Sequence, residues 1–291
     1  MLVSIVIPAY RAEHLIGEAV QSVIAQTLTD WECIVASDDG VDYRAILELQ
    51  GLADPRLRYV STGQTGSGCH AARNRGLKEC RGDIIGALDA DDVWKPHRLA
   101  VLAPQALQHG AAVDGPRVVD TTGSVLYTAF DAYPAPFKLD LSALLALTCP
   151  IFPLTRRDLT FARKAGIEHL EDIVSNLLLI SSNGPMWATP ESLMDYRVVA
   201  GSMCHGDESA ARFDRAYADI IALLRNGDLS VEPALHTNAI AGLEQKRALN
   251  KRFIEAQSRT ADLDFQTFVA ALPSSAGGGV AARTRKVAKH H

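Results

Sequence analysis

Three aspartates stand close together after a short apolar run, and two of them, Asp89 and Asp91, offer ligands for a divalent cation. Asp89, Asp91 and Asp92 follow residues 83–88, DIIGAL. In an extended chain, Asp89 and Asp91 point the same way because alternate residues of a strand share a face. Mg²⁺ and Mn²⁺ prefer carboxylate oxygens, and Mg²⁺-type sites use one or two carboxylates with substrate phosphates. The alternative is an acidic turn that ends the strand and starts a helix.

Two further acidic groups stand beside apolar runs. Asp38 and Asp39 precede Gly40, which indicates a turn in which Asp38 alternatively caps a helix. Glu171 and Asp172 precede the apolar run 173–180, and carboxylates are among the side chains that can serve as a general base. Capping of a helix is again the alternative, because acidic side chains suit a helix N-terminus.

The elements that must position these residues alternate along the first hundred positions. Strand-like apolar runs are separated by segments with helical periodicity, and this order predicts an α/β fold with an open, mainly parallel sheet. Strands are predicted over 2–7, 31–36, 57–60 and 83–88, and helices over 12–25, 43–52 and 67–80. Ligands of such sheets bind at the carboxyl ends of the strands, which is where the aspartates stand.

The remaining sequence is richer in helical patterns. Helices are predicted over 96–108, 139–147, 156–165, 171–180, 207–224 and 239–256, with short strands within 113–130. The end, 274–291, is rich in Gly and Ala and then basic, and we expect it to be disordered.

Composition narrows the class of protein. The chain has 291 residues, of which 47% are hydrophobic and 22% charged, as in globular rather than disordered proteins. Its net charge of −5 gives no reason to expect nucleic acid as a partner. Five cysteines without a Cys-x-x-Cys pair suit a reducing compartment. Because no apolar stretch reaches 18 residues, we predict a cytoplasmic protein without a transmembrane segment.

Three segments together resemble glycosyltransferase family 2 in order and spacing. They are SIVIPAYRAEHLIGEAVQSVIAQTLTDWECIVASDDG, GSGCHAARNRG and GDIIGALDADDVW. The similarity covers about residues 2–100 well and 165–205 more loosely. It implies a GT-A (Rossmann-like) fold, a nucleotide-diphosphate-sugar donor, a divalent metal, Mn²⁺ or Mg²⁺, and inversion at the anomeric carbon.

The resemblance also implies roles for individual residues. Asp39 matches the carboxylate that binds uracil, which favours a UDP-sugar, and Asp91 matches the direct metal ligand of the DXD motif. The implied nucleotide-sugar-binding positions are Pro8, Ala9, Tyr10, Glu13, Asp39, Arg73, Asn74, Asp89 and Ala90. One departure from the family pattern is Val41, where a small polar residue usually follows Asp-Gly.

The catalytic residues implied by the resemblance lie in the second half. Asp172 matches the base that deprotonates the acceptor hydroxyl, and Glu171 supports it. Relatives often carry His where this chain has Val199, and His205, six residues on, is a candidate third metal ligand beside Asp89 and Asp91. An exposed loop histidine is the alternative for His205.

Two other functions compete with glycosyl transfer. A sugar-phosphate nucleotidyltransferase usually needs a Gly-rich loop right after its first strand, but this chain continues with PAYR there. A non-catalytic nucleotide-sugar-binding module is the second alternative. The presence of the acidic residues argues against it, because a site without activity could lose any of them. The loose G-x-G-x-x-A formed by Gly66, Gly68 and Ala71 follows the third strand rather than the first, which weakens a dinucleotide-binding interpretation.

The expected organisation follows from these assignments. We expect a GT-A domain over 1–205, with a nucleotide-sugar-binding half (1–100) and an acceptor-side half (101–205), followed by a helical extension (206–273). The expected partners are a nucleotide-diphosphate sugar and a saccharide or lipid-linked saccharide acceptor, as in polysaccharide or glycoconjugate biosynthesis. The basic tail offers a peripheral contact with anionic lipid at the inner face of the membrane; the alternative is a solvated tail.

Overall fold

A computed structural model describes residues 1–160, 169–199, 209–260 and 263–272. The strands are β1 (Val3–Ala9), β2 (Trp31–Ser37), β3 (Leu57–Ser61), β4 (Ile84–Ala87), β5 (Val93–Trp94), β6 (Ala111–Asp114), β7 (Arg117–Val119), β8 (Val125–Thr128), β9 (Phe137–Leu139), β10 (Leu154–Arg156), β11 (Met186–Thr189) and β12 (Met194–Arg197). The helices are α1 (Ile16–Ile24), α2 (Tyr43–Leu49), α3 (Cys69–Leu77), α4 (Arg98–His109), α5 (Leu141–Ala146), α6 (Glu171–Asn183), α7 (Ser209–Asn226), α8 (Pro233–Gln257) and α9 (Phe265–Ala270).

The strands of the described residues form two sheets. The larger sheet has the order β3-β2-β1-β4-β10-β6-β11-β9, and the smaller has the order β5-β12-β7-β8. Strands β1 to β4 are mutually parallel, whereas β10 pairs antiparallel with both β4 and β6. This architecture confirms the predicted α/β class with a mainly parallel sheet.

Burial explains why the central strands are apolar throughout. β2 is buried at every position, and β1 at every position but one. Such runs are typical of parallel strands covered on both faces. Helix α1 buries Ile16, Val20 and Val23 along one side, the stripe that the helical periodicity predicted.

The helical C-terminal part is confirmed as well, by α7, α8 and α9. Helix α8 packs closely on α5, because a Cβ added at Gly242 would lie only 2.6 Å from Cδ1 of Leu145. Among the described residues, no helix is long and apolar enough to cross a bilayer. The predicted disordered tail falls within 273–291, outside the described residues.

The helix predicted over 156–165 is wrong at 156–160, the part of it that the structure describes. A helix was expected from residue 156, but Arg156 ends strand β10, and a single 3-10 turn covers Arg157–Leu159. Arg156 pairs with Ile84, and Thr155 with Ile85, so β10 fills the space between β4 and β6. Backbone pairing across the sheet outweighs the local helical pattern; residues 161–165 lie outside the described part.

A buried ion pair joins α4 to the end of β6. The Arg98 and Asp114 side chains are 0% and 1% exposed, and their closest N–O distance is 2.8 Å. Arg98 also donates to the Phe152 carbonyl at 2.8 Å, and Asp114 accepts from the Leu193 backbone N–H at 3.0 Å. The pair therefore fixes chain segments from both sheets.

Replacing Asp114 by Ala should lower the free energy of unfolding by about 3–5 kcal/mol, because Arg98 would remain buried without its counter-ion. The control is Glu244→Ala, which breaks the exposed pair with Arg225 and should cost less than about 1 kcal/mol. Denaturant unfolding monitored by circular dichroism measures both. Equal losses in the two variants would contradict this account of the buried pair.

Candidate active site

The carboxyl ends of three parallel strands form the edge at which the acidic residues gather. Ala9 at the end of β1 pairs with Ser37 at the end of β2, and Val6 pairs with Ala87 at the end of β4. The segments that follow therefore emerge side by side. They carry the nucleotide-side residues, the aspartate pair and the aspartate cluster of the sequence analysis.

Asp39 organises the loop after β2. Its carboxylate accepts hydrogen bonds from the backbone N–H of Arg11 at 2.6 Å, the Tyr43 hydroxyl at 2.8 Å, the Ser37 hydroxyl at 3.0 Å and the backbone N–H of Val41 at 3.1 Å. Partial burial acts to raise the pKa of Asp39, but these hydrogen bonds outweigh it and lower the pKa. The group is thus an ionised acceptor at the sheet edge.

Asp38 binds the loop that contains Gly66 and Gly68, called here the glycine-rich loop. The sequence analysis missed this role. Its buried carboxylate accepts from the Thr62 hydroxyl at 2.8 Å, from the backbone N–H of Gly68 at 2.8 Å and from the Ser67 hydroxyl. The N-cap interpretation of Asp38 is wrong, since Asp42 caps α2 by accepting from the Ala45 N–H. Because the partners of Asp38 lie 24 to 30 residues away along the chain, no local sequence pattern indicates these hydrogen bonds.

Tyr10 directly follows the last residue of β1, at the same edge of the sheet. It is 44% exposed, whereas Ala9 is buried and Pro8 and Glu13 are half-buried. A Cβ added at Gly66 would lie 3.8 Å from the Tyr10 hydroxyl oxygen, so the glycine-rich loop passes close to the ring. The Arg11 guanidinium lies 5.2 Å from the centre of this ring, and an exposed aromatic ring is suited to stacking on a planar ligand.

The aspartates after β4 form one cluster. Asp89, Asp91 and Asp92 each offer an oxygen, and these oxygens lie within 4.8 Å of one another. The extended chain expected here is wrong: Ala90 and Asp91 form a turn, in which the Asp92 N–H donates to the Asp89 carbonyl at 3.1 Å. Because the turn breaks the alternation, Asp92 joins the cluster, which the sequence analysis did not foresee.

The cluster carries an electrostatic penalty. Burial, and next the charge of Asp89, raise the pKa of Asp91 to about 6, and burial and the charge of Asp91 raise that of Asp92. One oxygen of Asp92 accepts from the Arg197 N–H at 2.9 Å, but its buried Oδ2 has no hydrogen-bond partner among the described residues. An all-oxygen donor set with an unsatisfied oxygen fits a hard divalent cation.

Arg73 connects the cluster to α6. One terminal nitrogen pairs with Asp89 and the other with Glu171, while the guanidinium lies 5.2 Å from the centre of the Phe152 ring. Burial acts to lower the pKa of Arg73, but the combined attraction of Asp89, Cys69 and Asp172 outweighs it and raises the pKa. Both terminal nitrogens of the Arg73 guanidinium are therefore paired with carboxylates. Its neighbour Asn74 is half-buried on the same helix.

Glu171 and Asp172 occupy the first turn of α6. Helix α6 starts after Leu170, whose backbone has the left-handed φ of 61°, and no side chain forms a cap hydrogen bond there. Glu171 is buried against Arg73, whereas Asp172 is half-buried. Asp172 and Arg73 both line a cavity of about 80 Å³ with Phe152 and Asn176. The structure thus joins the predicted base to the aspartate cluster through Arg73.

Arg197 is a second residue that the sequence analysis missed. Its backbone N–H binds Asp92, its Nε donates to the Asp91 carbonyl, and one terminal nitrogen pairs with Glu18. Arg197 thereby braces the turn that gathers the cluster. In the sequence, Arg197 is marked only by lying close to Val199 and His205, the two positions considered there for a histidine ligand. His205 itself lies outside the described residues.

The matching family model, "Glycosyl transferase family 2", covers residues 4–159. This span contains the strand-edge residues and the aspartate cluster and exceeds half of the chain. The chain belongs to glycosyl transferase family 2. Asp172 and everything after it lie beyond the matched span.

Two curated relatives show the range of similarity within the family. The chain is 36% identical over 108 residues to the Escherichia coli UDP-Glc:alpha-D-GlcNAc-diphosphoundecaprenol beta-1,3-glucosyltransferase WfgD, covering 37% of this chain and 42% of WfgD. It is 26% identical over 214 residues to the putative teichuronic acid biosynthesis glycosyltransferase TuaG of Bacillus subtilis, covering 72% of this chain and 84% of TuaG. The stronger identity thus spans less than half the length of WfgD.

Solved structures of low identity share the fold. S. aureus TarS 1–349 in complex with UDP-GlcNAc has a TM-score of 0.71 at 17% identity, covering 95% of this chain and 83% of that one. The mannosyltransferase PcManGT from Pyrobaculum calidifontis, in complex with GDP-Man and Mn²⁺, has a TM-score of 0.56 at 15% identity, covering 90% and 76%. The GT-A fold expected from the sequence is confirmed.

Proposed function

We propose that this chain transfers a sugar from a nucleotide-diphosphate donor, a UDP-sugar, to an acceptor hydroxyl group with inversion at the anomeric carbon. The observation that carries the proposal is the continuous charged chain from the aspartate cluster through Arg73 to Glu171, with Asp172 beside it. The proposed cation site and the proposed base would thus lie at one edge of the sheet. Family membership and the donors named for the relatives support the same reaction.

The donor would lie along the sheet edge. Tyr10 would stack on the base, with Pro8, Ala9 and Glu13 around it. Asp39 would accept from the uracil ring, although each of its oxygens already accepts two hydrogen bonds. A uracil N–H would therefore share or replace one of these, and the backbone N–H of Arg11 and the Tyr43 hydroxyl are the donors on the Oδ2 side.

Asp89, Asp91 and Asp92 would hold the divalent cation, with His205 as a further candidate. When bound, the cation supplies positive charge that stabilises the departing diphosphate. Arg73 would orient Asp89 rather than bind phosphate itself, because its two ends are held by carboxylates. Asn74 and Ala90 would border the donor.

The chemistry at the sugar needs one base. As the acceptor oxygen bonds to the anomeric carbon, the bond from that carbon to the diphosphate oxygen breaks, and the acceptor proton passes to Asp172. Two carboxylates are not required as in glycosidases, because the diphosphate leaves without protonation when its charge is neutralised. Glu171 would keep Arg73 in place.

The acceptor and the boundaries of the catalytic unit are proposals of the same kind. WfgD is named for a diphosphoundecaprenol-linked acceptor and TuaG for teichuronic acid biosynthesis. We propose a saccharide or lipid-linked saccharide acceptor in polysaccharide or glycoconjugate biosynthesis. Residues 1–205 would carry the catalytic unit and 206–273 a helical extension to it.

Release of the nucleotide diphosphate tests the function. The protein is incubated with UDP-glucose, UDP-GlcNAc or GDP-mannose, with and without Mn²⁺, and UDP or GDP is quantified. We expect Mn²⁺-dependent release of UDP from a UDP-sugar. A nucleotidyltransferase would instead release pyrophosphate from UTP and a sugar phosphate, and a binding module would release nothing; either result would refute the proposal.

A further inference from the structure

Tyr43, the first residue of α2, connects the two loops that would hold the nucleobase. Its hydroxyl oxygen accepts a hydrogen bond from the backbone N–H of Ala12 at 3.1 Å, and the hydroxyl donates to Oδ2 of Asp39 at 2.8 Å. The backbone N–H of Arg11 donates to the same oxygen at 2.6 Å. The two backbone N–H groups that follow Tyr10 are therefore tied to Asp39, one directly and one through the Tyr43 hydroxyl.

The two partners of the Tyr43 hydroxyl leave only one direction for its hydrogen bonds. The backbone N–H of Ala12 can only donate, and the ionised carboxylate of Asp39 can only accept, so the hydroxyl proton must point toward Asp39. Burial raises the pKa of Tyr43, and the hydroxyl therefore keeps its proton in neutral solution. A tyrosine hydroxyl is suited to this place because it accepts and donates through a single oxygen.

Packing keeps Tyr43 in place while other donors to Asp39 are free to yield. Tyr43 is 2% exposed and Ala12 is 5% exposed, so the N–H of Ala12 would stay buried without a partner if the hydroxyl moved away. Arg11, by contrast, is exposed. An incoming N–H group is therefore expected to share Oδ2 with Tyr43 or to replace the Arg11 backbone N–H, and not to displace the tyrosine.

We propose that Tyr43 is a positioning residue of the nucleobase pocket, which fixes the Asp39 carboxylate relative to the Tyr10 ring so that one binds the edge of uracil and the other its face. This inference rests on the proposed function, because it takes Asp39 as the acceptor for uracil. It adds a residue of α2 to the donor site. Selection of uracil over other bases then depends on Tyr43, because a carboxylate held in place loses less conformational entropy on binding.

Selectivity between two pyrimidine nucleotides separates positioning from general stability. Uracil carries a hydrogen on N3 that Asp39 can accept, whereas N3 of cytosine carries none, and UDP and CDP share the ribose and the diphosphate. Calorimetry with Mn²⁺ measures the affinities of wild type and Tyr43→Phe for UDP, with CDP measured by competition. Tyr59→Phe is the matched control, because it removes a hydroxyl group from the neighbouring strand β3.

The affinity for UDP should fall about tenfold in Tyr43→Phe, as expected for a lost hydrogen bond to a charged group, while the affinity for CDP changes little. Tyr59→Phe should retain the preference of wild type for UDP. An equal loss for both nucleotides would indicate a structural role, and an unchanged or raised affinity for UDP would indicate that uracil displaces the hydroxyl. Either result would overturn the inference, as would wild-type protein that does not prefer UDP.

Failure of the proposed function gives a different result. Wild-type protein that binds UDP in preference to CDP but releases no UDP from a UDP-sugar would refute glycosyl transfer and leave the role of Tyr43 in binding intact. Wild-type protein that binds neither nucleotide would refute both.

Discussion

Replacing Asp172 by Asn should lower sugar transfer by about 10²–10⁴-fold while leaving donor affinity unchanged, the loss typical of a positioned base. The amide is nearly isosteric with the carboxylate but cannot accept the acceptor proton. Arg73 pairs with Asp89 of the cluster on one side and with Glu171, the chain neighbour of Asp172, on the other. Binding and chemistry should therefore separate in this variant.

Donor affinity is measured by calorimetry with Mn²⁺, and turnover by release of UDP. The matched control is Asp158→Asn, which removes an exposed carboxylate paired with Arg156 and should behave as wild type. Turnover close to the wild-type rate in Asp172→Asn would exclude this residue as the base. A parallel loss of donor binding would instead place it among the binding residues.

Replacing Asp91 by Ala should abolish the gain in nucleotide affinity that Mn²⁺ gives. Asp91 is a half-buried member of the cluster whose ionised carboxylate is disfavoured by burial and by Asp89, so pairing with a cation relieves this penalty. Loss of a direct ligand should exceed the ~10–100-fold that supporting residues of metal sites contribute. We expect at least about a 10²-fold drop in UDP affinity with Mn²⁺ present.

Calorimetric titration of UDP with and without Mn²⁺ measures this effect. Asp30→Asn serves as the control, because Asp30 is exposed and pairs only with the N-terminal amine among the described residues. Equal affinities of the Asp91 variant and wild type in Mn²⁺ would remove Asp91 from the cation site. Wild-type binding that does not respond to Mn²⁺ would refute metal assistance as a whole.

These two variants address different steps. Asp91→Ala acts on donor binding and Asp172→Asn on the chemical step. Asp114→Ala should instead change the stability of the fold. A single loss of function shared by all three would indicate general unfolding rather than separate roles.

Part of this site could be read from local sequence. The apolar runs before Asp39 and Asp89 predicted buried parallel strands, and such strands end at a common edge. The quoted segment GDIIGALDADDVW added Asp91, and the looser similarity over 165–205 added Asp172, both through resemblance to the family. Local patterns succeeded here because strand polarity and helix periodicity depend on near neighbours along the chain.

Other parts depended on contacts between distant segments. Helical periodicity misassigned Arg156, because strand β10 exists only by pairing with β4 and β6. The turn that brings Asp92 to the cluster is braced by Arg197, which lies 105 residues away along the chain. No propensity of the residues next to Asp92 indicates that brace.

The sequence by itself determined the α/β class, the sheet edge and the identity of the acidic residues, since hydrophobic pattern and motif spacing are properties of the chain. Tertiary structure alone decided that Arg73 joins Asp89 to Glu171 and that Asp38 holds the glycine-rich loop. The physical reason is that the pairing of a charge depends on which side chains packing brings within a few ångströms, and those partners lie tens of residues apart.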